Sequence, residues 1–189
     1  MRPTLRTLWQ EAWQPEFVGT LLFLVDRNRV LLIEKKTGHG MGKINAPGGK
    51  WDIGESLMAC ARREMLEETG IDAQPLGCVG ELRFVERDGP QWLGYVFVAR
   101  QFSGAMTETP EARPFWCDVE GIPYHQMWAD DAIWLPKVLE HGVLGDKPDA
   151  PPLVYDFLFT GGKLLEHGPS HQSGLSLSIH APRQEWVEE

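Results

Sequence analysis

The chain is short of cysteine, of positive charge and of long apolar runs, and each shortage removes a class of protein. Its three cysteines, Cys60, Cys78 and Cys117, are odd in number and scattered. That excludes a disulfide framework or a zinc-ligand spacing and leaves reduced, buried thiols as the expectation. No apolar run reaches the roughly 18 residues that a membrane-crossing helix needs. Met1 to Gln14 holds two arginines but interleaves them with Trp9, Glu11 and Trp13, so it lacks the apolar core of a secretory signal. A short added helix is expected there, on a cytoplasmic protein. Lys and Arg total 18 against 27 Asp and Glu, a net charge of -9. A surface so acidic repels duplex nucleic acid and anionic membranes. No internal repeat is visible.

What is present suits one globular domain. The 189 residues are 42% hydrophobic, enough for one substantial core and too few for two catalytic domains. Phe17 to Val25 and Val30 to Ile33 are apolar, rich in β-branched residues and separated by Asp-Arg-Asn-Arg, which predicts a strand hairpin. A second hairpin is predicted from Gly80 to Glu86 and Trp92 to Phe102, then a short strand from Phe115 to Val119. A helix from Asp130 to His141 must accommodate Pro136 as a bend or in its first turn. Leu153 to Phe159 and Lys163 to Leu165, joined by Thr160-Gly161-Gly162, predict a closing hairpin. From Glu166 onward the chain is rich in His, Ser, Gly and Gln and is expected to wrap the surface or stay disordered. His167 and His171 are four apart, but Gly168-Pro169-Ser170 opposes the helix that would aim both at one metal.

The densest chemical signal runs from Gly49 to Ile71. Glu64, Glu67 and Glu68 stand at i, i+3 and i+4, within one 100° arc of a helix. Carboxylate oxygens on a rigid helix suit a hard divalent cation such as Mg²⁺, which keeps its other positions for water and phosphate. Ser56 is placed to cap this helix and Gly70 to end it. Arg63 is spaced to meet Glu67 on the helix and Glu55 in the preceding loop, where a guanidinium would hold carboxylates in place without competing for protons. The bland alternative is a solvated acidic face.

The spacing G-x5-E-x7-R-E-U-x-E-E-x-G-U, with U aliphatic, is met at every fixed position, and the segment resembles a complete Nudix box. The resemblance implies an α/β/α sandwich with a mixed sheet, over residues 17–165, between an extension at 1–16 and a tail at 166–189. It also implies Mg²⁺-dependent pyrophosphatase activity, with Mn²⁺ as a substitute, and metal ligation by Glu64, Glu67, Glu68 and the Gly48 carbonyl. Asn45-Ala46-Pro47-Gly48-Gly49-Lys50, Arg113-Pro114-Phe115-Trp116 and Met127-Trp128-Ala129-Asp130-Asp131 resemble the branch of MutT-type hydrolases of oxidised purine nucleoside triphosphates. That likeness implies a base pocket lined by Asn45, Trp128, Asp130 and Asp131. Such an enzyme would turn 8-oxo-dGTP into monophosphate and pyrophosphate and so cleanse the nucleotide pool that feeds DNA synthesis.

Chemistry supports the pocket independently. An indole face suits a purine, worth about 1–3 kcal/mol per stacked base. Two close carboxyls in a desolvated site allow one to stay protonated and donate to a keto oxygen. The alternatives are a core Trp128, an Asp130 that caps the next helix and an Asn45 that serves a turn. Lys35, Lys36 and Lys50 lie near the box and are candidates to offset phosphate charge. His39 falls at the rim of the base site, where the animal enzymes usually carry a hydrocarbon ring, and an ordinary imidazole would change charge between about pH 5 and 8. For the proton of the attacking water, Glu67 and the loop residue Glu111 are the candidates. Two other readings are a Nudix hydrolase of ADP-ribose or another nucleoside diphosphate conjugate, and a non-catalytic nucleotide-sensing module. Glu86 stands where the first of these often carries proline or tyrosine, and the intact set of box carboxylates argues against the second.

Overall fold

The computed structural model describes Leu5, Trp13, residues 15–140 except Asp88, and residues 151–170. In chain order the elements are β1 (Phe17–Asp26), β2 (Arg29–Lys35), β3 (Ile44–Asn45), β4 (Gly48–Lys50), α1 (Leu57–Thr69), β5 (Ile71–Glu86) and β6 (Trp92–Gly104). They continue as β7 (Ala112–Asp118), two 3₁₀ turns, α2 (Asp131–Val138), β8 (Leu153–Thr160) and β9 (Lys163–Pro169). Among the described residues nine strands form one mixed sheet network, β3-β2-β1-β6-β5-β8-β9, with β4 on β1 and β7 on β2. β1 runs parallel to β6, and β5 parallel to β8.

Alternation along the central strands builds the three layers. Leu22 and Leu24 of β1, Leu31 of β2 and Phe97 of β6 pack on Leu57, Ala61 and Met65 of α1. Their neighbours Phe23, Val25, Val30 and Leu32 face the other way, onto Trp134, Leu135 and Val138 of α2. Successive strand side chains point to opposite faces, so strands apolar at nearly every position must be covered on both sides. Each fully buried Leu or Phe contributes about 1.5–3 kcal/mol, and the two clusters clamp the helices to the sheet. The α/β/α sandwich is as the sequence implies.

Several boundaries differ from expectation. The first hairpin is a hairpin only at its turn, where Val25 meets Val30 and Asp26 meets Arg29. Beyond it the strands part. β1 takes β4 and β6 as neighbours while β2 pairs along its length with β7, because both strands bury both faces and each needs its own partners. β5 begins at Ile71, directly after α1, rather than at Gly80; bulges between Gln74 and Gly80 absorb Pro75 and Gly77 and hide the strand from a period-2 reading. β7 starts at Ala112 and ends at Asp118, with Val119 in a 3₁₀ turn. α2 spans Asp131–Val138 with Pro136 inside it; the expected end at His141 lies outside the described residues.

The closing hairpin turns on Gly161 and Gly162, both at positive φ (54° and 74°), as a two-residue turn of this kind demands. β9 then continues to Pro169, beyond the expected Leu165. His167 stacks on Tyr155 and Phe157 there, and His171 lies outside the described residues. The expected amino-terminal helix also lies outside them, save for Leu5, packed on Val85 and Leu158, and Trp13, whose Nε1 donates to Gln91 Oε1 at 2.6 Å. Among the described residues no helix is long and apolar enough to cross a membrane. The three cysteines are free thiols; Cys60 is buried as expected, whereas Cys78 and Cys117 are only partly so.

Candidate active site

α1 presents the box carboxylates because its ends are well fixed. Ser56 Oγ accepts from Ala59 N at 3.1 Å, and Gly70, at φ 74°, ends the helix by donating to the Leu66 carbonyl. The Gly48-Gly49 pair lets β4 squeeze between β1 and α1. A Cβ on Gly48 would lie 2.0 Å from the Thr20 carbonyl oxygen, and one on Gly49 would lie 2.4 Å from the Glu64 carboxyl carbon. A side chain at Gly48 would collide with the backbone of β1, and one at Gly49 would displace the Glu64 carboxylate.

The three glutamates do not share one environment. Glu68 is buried, accepting from Gly48 N at 2.9 Å on one oxygen and from Lys35 Nζ at 2.9 Å on the other. Burial raises its pKa against the opposing pull of Lys35 and the Gly48 N–H. Glu64 is raised too, again by burial first, with Arg63 opposing. Glu67 is 55% exposed and meets Arg63 at 3.3 Å. Arg63 gathers the set: its guanidinium donates to Glu55 at 2.7 and 3.2 Å, to Glu64 at 2.7 Å and to the Lys50 carbonyl at 3.1 Å. These bonds pull Glu55 below the usual carboxylate range. Among the described residues no three His, Cys, Asp or Glu side chains already converge on one point. The donors nevertheless fit a hard cation: all are oxygens, and two are partly desolvated carboxylates whose charge a divalent ion would stabilise. Lys35 holds one of them in the meantime.

A cavity of about 520 Å³ joins this region to the predicted base pocket. Its wall takes in Glu64, Glu68, Gly48, Lys35 and Glu111 together with Asn45, His39, Trp128, Asp130 and Asp131. Glu111, exposed, reaches it because β2 pairs with β7 so that Lys35 faces Ala112 and Lys36 N donates to the Glu111 carbonyl. Arg63 and Glu67 are not on its wall. Asn45 Oδ1 accepts from Ala46 N at 2.8 Å, a turn-like bond that leaves its amide nitrogen available.

Asp130 stands at the start of α2 without capping it; its Oδ2 accepts from Trp134 Nε1 at 3.0 Å instead. Asp131 Oδ2 accepts from Trp128 N at 2.9 Å and so fixes the indole's backbone. Trp128 is half-buried at the cavity rather than in the core. Burial raises Asp130 to about 6, and burial together with the neighbouring Asp130 charge raises Asp131 well above the carboxylate range. Burial and mutual repulsion both push this pair toward holding a proton, which is the direction a donor role needs. His39 departs from the simple expectation: burial, then Lys35 and Lys50, lower its pKa and favour the neutral ring.

The cavity also takes Phe84, Glu86, Trp92, Trp134 and Phe159, which sequence reasoning missed. Glu86 accepts from Gly161 N and Gly162 N at 2.9 and 3.1 Å and ties the β8–β9 turn to the cavity's edge. Their only sequence signal is position within β5, β6, α2 and β8, and it becomes legible once the β1–β6 and β5–β8 pairings are known.

The NUDIX domain family profile matches residues 15–138. The chain is 41% identical over 122 residues to the oxidized purine nucleoside triphosphate hydrolase of Danio rerio, an alignment spanning 64% of this chain and 78% of that protein. It is 31% identical over 119 residues to the 8-oxo-dGDP phosphatase NUDT18 of Danio rerio, spanning 63% of this chain and 33% of the relative. Among solved structures, the MutT protein from Bacillus halodurans superposes with a TM-score of 0.66 at 30% identity, over 80% of this chain and 96% of that one.

Proposed function

The chain belongs to the Nudix hydrolase family, and on that premise we propose that it is a Mg²⁺-dependent cytoplasmic hydrolase converting oxidised purine nucleoside triphosphates to monophosphates and pyrophosphate. The observation that carries the reading is that one cavity is lined both by Glu64 and Glu68 and by Trp128, Asp130 and Asp131. A nucleotide spans both. Trp128 receives the base, and the protonated member of the aspartate pair donates to a keto oxygen while the other accepts from a ring N–H. The ammonium of Lys35 meets phosphate charge once it gives up Glu68. Arg63 keeps Glu55 and Glu64 oriented.

Mg²⁺, held by Glu64, Glu67, Glu68 and the Gly48 carbonyl, would withdraw charge from the phosphate oxygens and make an attacking water more acidic. Glu111, which lines the cavity, and Glu67, half-exposed on the box helix, are the candidates to take that water's proton. The test is a panel of oxidised and ordinary purine and pyrimidine triphosphates, diphosphates and ADP-ribose incubated with protein and Mg²⁺, with pyrophosphate and orthophosphate counted separately. Pyrophosphate released fastest from an oxidised purine triphosphate supports the reading. ADP-ribose as the best substrate rejects it.

A further inference from the structure

The indole assigned above to the base is already covered. His39 lies on Trp128 with ring centroids 5.0 Å apart and planes 18° apart, and on Trp92 at 5.4 Å and 19°. Both separations fall in the range in which aromatic rings attract, worth about 2- to 10-fold in an equilibrium constant per pair. Lys43 Nζ also stands over the Trp128 ring, 4.9 Å from its centroid, and donates to the Met127 carbonyl at 3.3 Å.

His39 is the ring best able to leave. It sits at the tip of a loop whose base is closed by Lys35 N to the Lys43 carbonyl at 3.0 Å and Gly42 N to the Lys35 carbonyl at 2.8 Å. Its neighbours Gly38 and Gly40 carry the left-handed backbone the loop needs, at φ 69° and 83°. No hydrogen bond among the described residues fixes the imidazole. Moving it therefore takes side-chain rotation and no break in the loop's closure. Trp92 shows a second sign that its surroundings are incomplete, because its indole N–H is buried without an acceptor among the described residues, and natural structures leave few such donors.

Resting on the base assignment above, we propose that His39 is an intramolecular occupant of the base site. Its ring covers Trp128 and Trp92, and a purine binds by taking its place, which makes Trp92 a second indole that the incoming base meets. Covering the site reduces the apparent affinity of every base-bearing ligand by the fraction of protein in which the site is open, and leaves ligands without a base untouched.

The experiment measures dissociation constants, with Mg²⁺ present, for a non-hydrolysable α,β-methylene purine nucleoside triphosphate and for inorganic tripolyphosphate, in the native protein, His39→Ala and His39→Phe. Removing the competing ring should tighten the purine analogue about 10-fold in His39→Ala, the range expected from one or two stacked pairs. His39→Phe, which keeps a ring in place, should not tighten it, and tripolyphosphate should bind all three proteins alike. In the native protein the His39 Cε1–H proton resonance, shifted upfield by the two indoles, should move downfield when the analogue binds and stay put with tripolyphosphate.

Weaker analogue binding in His39→Ala, or an unmoved His39 resonance on saturation, overturns the proposal and leaves the base assignment standing, since the base would then stack alongside His39. If the native protein binds the analogue no more tightly than tripolyphosphate, the base assignment itself falls, and this inference with it.

Discussion

Gly49→Ala should separate catalysis from folding. The added Cβ would stand 2.4 Å from the Glu64 carboxyl carbon and as close to its oxygens, whereas ordinary contact begins near 3.4 Å. The carboxylate must therefore retreat by about 1 Å, and its 2.7 Å bond to Arg63 breaks or bends. A displacement of that size in a positioned group costs on the order of 10²-fold in rate. The stability cost is small, because what must move is the end of a flexible side chain and Gly49 is not at a positive φ. About 1 kcal/mol is expected, at the low end for overpacking, or roughly 2–4 °C in Tm for a domain of this size.

Gly48→Ala is the control, since its Cβ would meet the Thr20 carbonyl oxygen at 2.0 Å, a backbone atom of the adjacent strand that cannot yield without parting β1 from β4. It should lose about 3 kcal/mol or more. Steady-state kinetics and thermal melts on both variants decide the matter. Near-native kcat/KM in Gly49→Ala, or equal losses of Tm in the two variants, would refute the reasoning from the cleft between β4 and α1.

Trp128→Ala should weaken purine triphosphate binding by about 1–3 kcal/mol with little change in Tm, because the indole stacks at the cavity and not in the core; titration calorimetry checks it. Arg63→Lys loses the forked bonds to Glu55 and the bond to Glu64, and should raise the Mg²⁺ concentration for half-maximal rate by about 10- to 100-fold, read from a metal titration. The aspartate pair makes a pH prediction with a definite sign. Its folded pKa values lie above the unfolded value near 3.9, so the folded chain holds protons that the unfolded chain releases. Stability from the pair is therefore lost as pH rises from about 4 through 6 and above, by on the order of 3 kcal/mol for Asp130 alone. Melts from pH 5 to 8 should show a slope in the native protein that flattens in the Asp130→Asn, Asp131→Asn double variant; parallel curves would mean that the pair is ionised throughout.

The box was legible because it is local. Its capping serine, its terminating glycine and the reach of Arg63 to Glu55 and Glu67 all lie within one loop and one helix, where spacing fixes geometry. Partners distant in sequence were legible only in part. β1 and β2 read as a hairpin because they adjoin, yet their long pairings are with β6 and β7, and no residue in either strand names its partner. Trp92 and Phe159 reach the cavity through β1–β6 and β5–β8 parallel pairings, which strand periodicity does not encode. His39 shows the same limit in charge: its sequence neighbours suggested an ordinary imidazole, and its burial beside Lys35 and Lys50 sets another value.

In the proposed enzyme one cavity reads an oxidised purine with a shared aspartate proton while the box carboxylates serve the phosphates. The most direct test is the ratio of kcat/KM for 8-oxo-dGTP to that for dGTP, followed as pyrophosphate release, in the native protein and in Asp131→Asn, with Mg²⁺ saturating. Because the two substrates share one triphosphate, effects on metal, general base and leaving group cancel in the ratio. The ratio should be well above one in the native protein and fall by about 10-fold in the variant, the loss of one discriminating hydrogen bond to a charged or protonated carboxyl. A native ratio near one, or the same ratio in both proteins, would contradict this reading.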